Sequence, residues 1–186
     1  SLGDSLAARL QAQMIGAAPE AELPEADIRD GIGELLNIIA GSAKNHLSRK
    51  GISLSISLPV IIAGGGVNHS DAAEQVVELA ELLSAPMITS YGRNDAVPNS
   101  HPLYVGPLGR AGAPEAGEIC SQADVILAAG TRLSNFTSFY DNRYIRVDAK
   151  VIQIEIDETE LGRNYPIAVG IQGDAGAALQ GVLNAL

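Results

Sequence analysis

The amino-acid sequence predicts an α/β fold with a doubly wound parallel sheet, preceded by a helix-plus-strand segment of α+β type. From Pro59 to Leu186, short apolar runs alternate with amphipathic stretches, and this spacing is typical of parallel sheets covered by helices. Residues 1–58 instead contain a long stretch with helical periodicity and then a run of alternating apolar and polar residues. We therefore expect two regions, 1–58 and 59–186.

The second region begins with a predicted strand at residues 60–63 that runs into Gly64, Gly65 and Gly66. Such an apolar run is expected for a strand buried on both faces. Ser70 and Asp71 are candidate caps for the following helix, which carries an apolar stripe as far as residue 83 and ends before Pro86.

The rest of the second region continues the same alternation. Its further predicted strands are residues 87–90, 125–129, 151–156 and 167–172, and its further helices are 113–121 and a C-terminal helix that Asp174 caps and that runs to residue 186. This order predicts a Rossmann-like sheet with right-handed connections. Any ligand is expected at the carboxyl ends of the strands.

The first region reads as a polar linker at residues 20–24, an amphipathic helix over 26–49 and a strand over 52–58. Gly51 ends the helix in the usual C-terminal manner. The strand alternates Ile or Leu with Ser, which indicates one buried and one solvated face. That pattern belongs to an antiparallel sheet and differs from the strands after Pro59.

Composition excludes several classes of function. The formal net charge of −10 and the pI of about 4.6 argue against binding to nucleic acid or to an anionic membrane. The single cysteine, Cys120, excludes an internal disulfide and is expected to be half-buried on a helix. The three histidines are not paired at ligand spacing, so we expect no metal site. With no long apolar run and no signal segment, the sequence predicts a cytoplasmic protein.

Five segments of the second region have a recognisable order and spacing. They are Pro-Val-Ile-Ile-Ala-Gly-Gly-Gly-Val (59–67), Gly-Pro-Leu-Gly-Arg-Ala-Gly (106–112), Ala-Asp-Val-Ile-Leu-Ala-Ala-Gly-Thr-Arg-Leu (123–133), Val-Ile-Gln-Ile-Glu-Ile-Asp (151–157) and Glu-Leu-Gly-Arg-Asn (160–164). This set resembles the central domain of thiamine-diphosphate-dependent enzymes of the acetolactate synthase and pyruvate oxidase group. With Ser90-Tyr91 and Asn94-Asp95, it is most similar to the sulfoacetaldehyde acetyltransferase branch.

The resemblance implies a domain without its own chemistry. Those enzymes build their active site between two other domains, so the thiamine diphosphate site is expected to be absent from this chain. The central domain connects the catalytic domains, supports oligomer contacts and in some members holds FAD or another adenine nucleotide. We expect a non-catalytic structural domain that forms a homo-oligomer and that can bind such a nucleotide.

Three groups of residues are candidates for that nucleotide. Gly64, Gly65 and Gly66 either let the backbone approach a diphosphate or form a tight turn that needs positive φ. The turn Gly130-Thr131-Arg132 matches a turn that lies against FAD in flavin-containing members, with Arg132 placed for phosphates. Asp157 either binds a ribose or adenine edge or caps its own turn at Thr159. Two further acids, Asp124 and Asp174, are expected to be caps.

The first region has a second resemblance. Residues 30–44, followed by 52–59, resemble CheC/CheX-type phosphatases of chemotaxis response regulators, whose mark is Glu-x-x-Asn, here Glu34 and Asn37. In that family the acid and amide reach the regulator's phospho-aspartate. This implies a response regulator as an alternative partner and Glu34 and Asn37 as alternative catalytic residues. Because only one helix and one strand of that domain are present, we expect no phosphatase activity.

The two resemblances meet at Leu58 and Pro59 without a linker. Natural fusions usually join whole domains through polar segments. We therefore expect a chimeric or recombined chain. The apolar stripe over residues 28–47 must be buried either against the α/β domain or against the same segment of a second molecule. We expect a homodimer or a swapped oligomer through residues 26–58.

Overall fold

The computed structural model describes residues 58–186. The chain divides between Ile56 and Ser57, and the described residues belong to the second unit. The expectations for the helix over 26–49, the strand over 52–58 and the homodimer through them lie outside this part and remain predictions.

The described unit is built on a six-stranded sheet in the order β3-β2-β1-β4-β5-β6, in which every neighbouring pair is parallel. The strands are β1 (Pro59–Ala63), β2 (Met87–Thr89), β3 (Tyr104–Pro107), β4 (Val125–Ala129), β5 (Lys150–Glu155) and β6 (Val169–Gln172). The predicted parallel α/β sheet is confirmed.

Five helices and one 3₁₀ turn accompany these strands within the described residues, and the last helix follows β6. They are α1 (Gly65–His69), α2 (Ala73–Leu83), α3 (Pro114–Gln122), α4 (Asn135–Ser138), α5 (Ala175–Leu183) and the 3₁₀ turn Glu158–Glu160.

Both faces of the sheet are covered, which explains the unbroken apolar runs in its central strands. On one face Ile61 and Ala63 of β1 pack in a cluster with Leu79 of α2 and Leu179 of α5. On the other face Val60 and Ile62 belong to a cluster that includes Ala116 and Cys120 of α3. All these side chains are buried. Helices on both faces make the fold doubly wound.

The strand order places a topological switch point beside β1. The chain runs outward from β1 through β2 to β3, then returns to place β4 on the other side of β1. Ala63 at the end of β1 is in register with Thr89 of β2 and Ala129 of β4. Loops that leave these strands diverge there, and parallel sheets bind ligands in the crevice that results.

The structure corrects several sequence predictions. Strand β3 and helices α1 and α4 were not predicted. Neither Ser70 nor Asp71 caps α2, because its N-cap is Ala72 with no side-chain cap bond. Asp71 has φ +51°, a turn conformation. The C-terminal helix ends at Leu183, three residues before the predicted end at 186.

Cys120 is another correction, since it is fully buried on α3 where a half-buried position was expected. Burial raises the pKa of its thiol to about 12. The expected caps are confirmed. Asp124 Oδ1 accepts the Leu58 backbone N–H at 2.6 Å, and Asp174 Oδ1 accepts that of Ala177 at 3.0 Å.

Neither a membrane-spanning helix nor a metal site emerges from the part of the chain that the structure describes. None of the helices in residues 58–186 has the length and apolar character needed to cross a bilayer. No cluster of three or more histidine, cysteine, aspartate or glutamate side chains in that range is arranged to hold a metal ion.

Candidate ligand-binding cleft

A cleft of about 530 Å³ opens at the carboxyl ends of the central strands. Its volume lies within the range of about 300–1,000 Å³ that is usual for small-molecule sites. Every central strand contributes to its wall through the loop that follows it. The residues that matter below are Gly65 and Gly66 after β1, Arg93 after β2, Thr131 and Arg132 after β4, and Glu155 at the end of β5.

The floor of the cleft is a close crossing of two backbones. Gly66 N donates to Gly130 O at 2.8 Å, and Gly64 N donates to Ala129 O at 2.9 Å. A Cβ on Gly66 would lie 2.6 Å from Gly130 Cα, and one on Gly64 would lie 2.5 Å from Gly130 O. The loops after β1 and β4 can meet only because these positions lack side chains.

This crossing changes the reason for the three glycines. The turn interpretation required positive φ, but none of Gly64, Gly65 and Gly66 has it, and Gly64 has φ −120°. Gly130 does have positive φ, at +57°. Close approach of backbones therefore explains Gly64 and Gly66, whereas Gly130 also needs its conformational freedom.

Arg132 lies on the cleft wall with its side chain 63% exposed. Its guanidinium is 4.0 Å from Glu160 Oε1, and the same oxygen accepts a shorter bond of 2.6 Å from Arg163. Its carbonyl oxygen accepts the side-chain amide of Asn164 at 2.8 Å. The hydrogen bond from Asn164 thus holds the backbone of this loop, while the Arg132 guanidinium stays at the surface of the cleft.

A buried glutamine holds the two loops on the β5 side together. Gln153 Nε2 donates to Thr131 O at 3.2 Å and to Glu160 O at 3.3 Å. Its Oε1 accepts Gly162 N at 2.9 Å. With only 3% of its surface exposed, Gln153 replaces water as the partner of these backbone groups. The position of Arg132 therefore depends on this bridge.

Of the two acids near the end of β5, Glu155 lines the cleft and Asp157 does not. Glu155 is buried in the cleft wall, where one carboxylate oxygen accepts its neighbour's backbone N–H at 3.1 Å. Its other oxygen makes no hydrogen bond with the described residues. Asp157 is not among the lining residues, and its carboxylate accepts the backbone N–H of Thr159 at 2.9 Å and the hydroxyl at 2.7 Å.

Asp157 therefore performs the turn-capping role that the sequence had left open. The hydrogen bonds from Thr159 lower the pKa of its carboxyl, because they favour the charged form. Sequence reasoning did not identify Glu155 or Arg93. A signal for Glu155 existed, since an acid inside an apolar strand is costly to bury without a purpose. No pattern singled out Arg93.

The far side of the cleft is closed by the start of α5. Ser70 Oγ donates to Asp174 Oδ2 at 2.5 Å, while the other carboxylate oxygen caps α5. These bonds lower the pKa of Asp174. The near side ends at two exposed rings, Tyr91 and Phe136, stacked with centroids 5.3 Å apart. The guanidinium carbon of Arg110 lies 5.1 Å from the Phe136 ring centre.

The structure thus brings together two of the three predicted groups, the glycines and the turn that ends in Arg132. It leaves Asp157 outside the cleft. Glu34 and Asn37 lie outside the described residues, so the alternative site is not placed by the structure.

Family models match both regions of the chain. Residues 55–182 match the family described as thiamine pyrophosphate enzyme, central domain. Residues 1–80 match the family described as chemotaxis phosphatase CheX. The two matches overlap over 55–80, which includes β1 and most of α2.

Curated relatives match the second region. A sulfoacetaldehyde acetyltransferase from Alcaligenes xylosoxydans is 50% identical over 121 residues, which are 64% of this chain and 20% of the relative. One from Rhodobacter capsulatus is 45% identical over 69% of this chain and 22% of its own length. A probable acetolactate synthase large subunit from Methanocaldococcus jannaschii is 39% identical, with the same two shares.

A solved structure supports the fold. The X-ray structure of a protein from Mycobacterium smegmatis, described as a thiamin diphosphate-dependent enzyme, aligns with a TM-score of 0.58 and 24% identity. The alignment covers 70% of this chain and 25% of that one. The chain spans about a fifth of the length of the curated relatives that it matches.

Proposed function

Because more than half of its residues match the family, this chain belongs to the thiamine pyrophosphate enzymes through their central domain, and we propose that it is a non-catalytic domain whose cleft binds an adenine nucleotide. The observation that carries this proposal is the composition of the cleft. Bare backbone, an exposed arginine and a buried acid face one space at the switch point of the sheet.

Each part of the cleft suits one part of such a ligand. The loops after β1 and β4 bring the backbone of Gly65, Gly66 and Gly130 to the wall of the cleft, where a diphosphate can lie against it. Arg132 offers a planar fork of donors that pairs with two phosphate oxygens. The uncommitted oxygen of Glu155 can accept a ribose hydroxyl, as acids at strand ends do in nucleotide-binding sheets.

Calorimetric titration of ADP and FAD into the 186-residue chain tests this proposal. We expect one saturable site for at least one of the two ligands, with weaker binding by Arg132→Ala and by Glu155→Gln. Asp157→Ala serves as the matched acid control, since its carboxylate lies outside the cleft wall. Absence of any binding, or equal loss in the control, would contradict the assignment.

The non-catalytic part of the proposal rests on what the family places elsewhere. The chain corresponds to about a fifth of the enzymes that it resembles, and the resemblance puts thiamine diphosphate between two other domains. We expect no conversion of pyruvate by the chain with thiamine diphosphate and magnesium ions. Turnover by the purified chain would refute this part. In this account the domain serves a structural role in an oligomer.

A second candidate function rests on the CheX match to residues 1–80. It assigns Glu34 and Asn37 to a surface that acts on a phosphorylated response regulator. Incubation with a phosphorylated regulator discriminates the two candidates. We expect no acceleration of dephosphorylation. Acceleration that disappears in Asn37→Ala would favour the phosphatase function over the nucleotide-binding domain.

A further inference from the structure

Arg93 differs from the other arginines in the described part of the chain. Residues 58–186 contain six arginines. Four have a carboxylate partner within 4.0 Å, and Arg110 lies over the Phe136 ring. Arg93 has neither kind of contact within the described residues, although this region holds fifteen acidic side chains and seven basic ones. An unpaired cation in so acidic a surface is available to a ligand.

The backbone fixes where this cation sits. Arg93 N donates to Ser90 O at 3.0 Å, and Arg93 O accepts Ala96 N at 3.0 Å. Gly92 before it has φ +72°, a left-handed conformation that glycine adopts readily. The side chain therefore starts from a hydrogen-bonded turn beside the end of β2, and it lines the cleft.

The guanidinium reaches the glycine floor of the cleft. A Cβ on Gly65 would lie 3.0 Å from Arg93 Nε and 3.7 Å from Cζ. Arg93 thus packs directly over Gly65, and both residues line the cleft. Arg132 also lines the cleft, but its guanidinium already forms an ion pair with the Glu160 carboxylate at 4.0 Å.

We infer that Arg93 is the side chain that binds the phosphate groups of the cleft's ligand, with Arg132 in a lesser role. This deepens the proposed function and rests on it for the identity of the ligand. A guanidinium without a carboxylate partner gives up no ion pair when it takes a phosphate. Its fixed fork then forms two charge-assisted hydrogen bonds.

The test compares charge-removing variants of the full chain by calorimetry, with ADP, adenosine and inorganic pyrophosphate as probes. We expect Arg93→Gln to weaken ADP binding about 10- to 100-fold, the range for losing hydrogen bonds to a charged group. Arg132→Gln should cost less than about tenfold, because Glu160 competes for that guanidinium. Arg93→Lys should keep part of the ADP affinity that Arg93→Gln loses. Adenosine, which has no phosphate, should bind the unchanged protein and Arg93→Gln equally.

Arg146→Gln is the matched control, since Arg146 is paired with Asp148 and does not line the cleft. ADP binding by Arg93→Gln equal to that of the unchanged protein would overturn the inference and leave the proposed function standing. If the unchanged protein binds neither ADP nor FAD, the proposed function fails. Titration with pyrophosphate then tests the inference about Arg93. Pyrophosphate binding that is lost in Arg93→Gln supports the inference, and any other result overturns it.

Discussion

Two glycines decide whether the β1 and β4 loops can meet. Gly66→Ala would place a Cβ 2.6 Å from Gly130 Cα, and this contact is with backbone that cannot rotate away. We expect a loss of about 1–3 kcal/mol in the free energy of unfolding, the usual cost of overpacking. Urea denaturation measures it.

Gly181→Ala is the matched control for that substitution. Gly181 lies inside α5, and a Cβ there would meet nothing within 4 Å. Alanine is the better helix residue, so this variant should gain about 0.5–1 kcal/mol. Equal effects of the two changes would contradict the close crossing.

Cys120 makes a prediction about alkaline pH. Its folded-state pKa of about 12 exceeds the ordinary value of 9.0 because burial disfavours the thiolate. Between these values the unfolded chain loses the thiol proton and the folded chain keeps it. The free energy of unfolding should therefore fall as pH rises from 9 toward 12. Denaturation of Cys120→Ala across this range should lack that component of the pH dependence.

The same residue should be unreactive in the folded protein. The thiolate is the nucleophile, and Cys120 is both buried and protonated at neutral pH. We expect a thiol reagent to label it only in denaturant. Rapid labelling of the native chain would show that α3 does not cover it.

Part of the site was predictable at this scale, and part was not. The glycines and Arg132 follow from motif order, because their positions after strands put them at one edge of a parallel sheet. The choice between Glu155 and Asp157 depends on where β5 ends, and strand ends are set by pairing that a single sequence does not reveal. Arg93 depends on the turn after β2, which no periodicity marks.

Helix α5 depends on a cap that also joins it to the cleft. Asp174 accepts Ala177 N through one oxygen and Ser70 Oγ through the other. Asp174→Ala should lower the urea midpoint, whereas Asp174→Asn, which can still cap, should lower it less. Because these bonds lower the pKa of Asp174, their contribution is present above its ordinary value of 3.8 and is lost as pH falls below it.

The control for this prediction is Ser70→Ala, which removes one of the two bonds and leaves the cap. If Asp174→Asn and Asp174→Ala destabilise the protein equally, the side chain does not act as a cap.

The elements that sequence reasoning missed share a physical cause. Strand β3 contains Gly106 and Pro107, which are rare inside strands, but it lies at the edge of the sheet where proline is tolerated. Helix α1 begins with two glycines, which are poor helix formers. It is stabilised by Val67, whose side chain is fully buried in the core. Tertiary packing therefore decides both elements against their local propensities.

At the scale of the whole molecule, the apolar surface predicted for the first region needs a partner. The sequence predicts an apolar helix stripe over residues 28–47 that is too costly to leave in water. We propose that a second copy of the chain covers it. Sedimentation should then give twice the monomer mass of 19.3 kDa.

Substitutions in the first region make that prediction specific. Ile39→Glu falls on the predicted stripe and should shift the mass toward the monomer, while Asn37→Ala falls on the opposite face and should not. A monomeric mass for the unchanged chain would contradict the dimer. It would also weaken the interpretation of the join at Pro59 as a recombined seam.

The central proposal is that a ligand binds at the carboxyl ends of β1 and β4, where the loops that follow these strands meet. Backbone amide NMR during a titration with ADP, and separately with FAD, tests it most directly, because the amide signal of each residue reports binding at its own position. We expect saturable shifts at Gly65, Gly66, Gly130 and Thr131, with no shift at Gly181 of α5. Shifts that cluster at another surface, or no shifts with an excess of either ADP or FAD, would contradict the proposal.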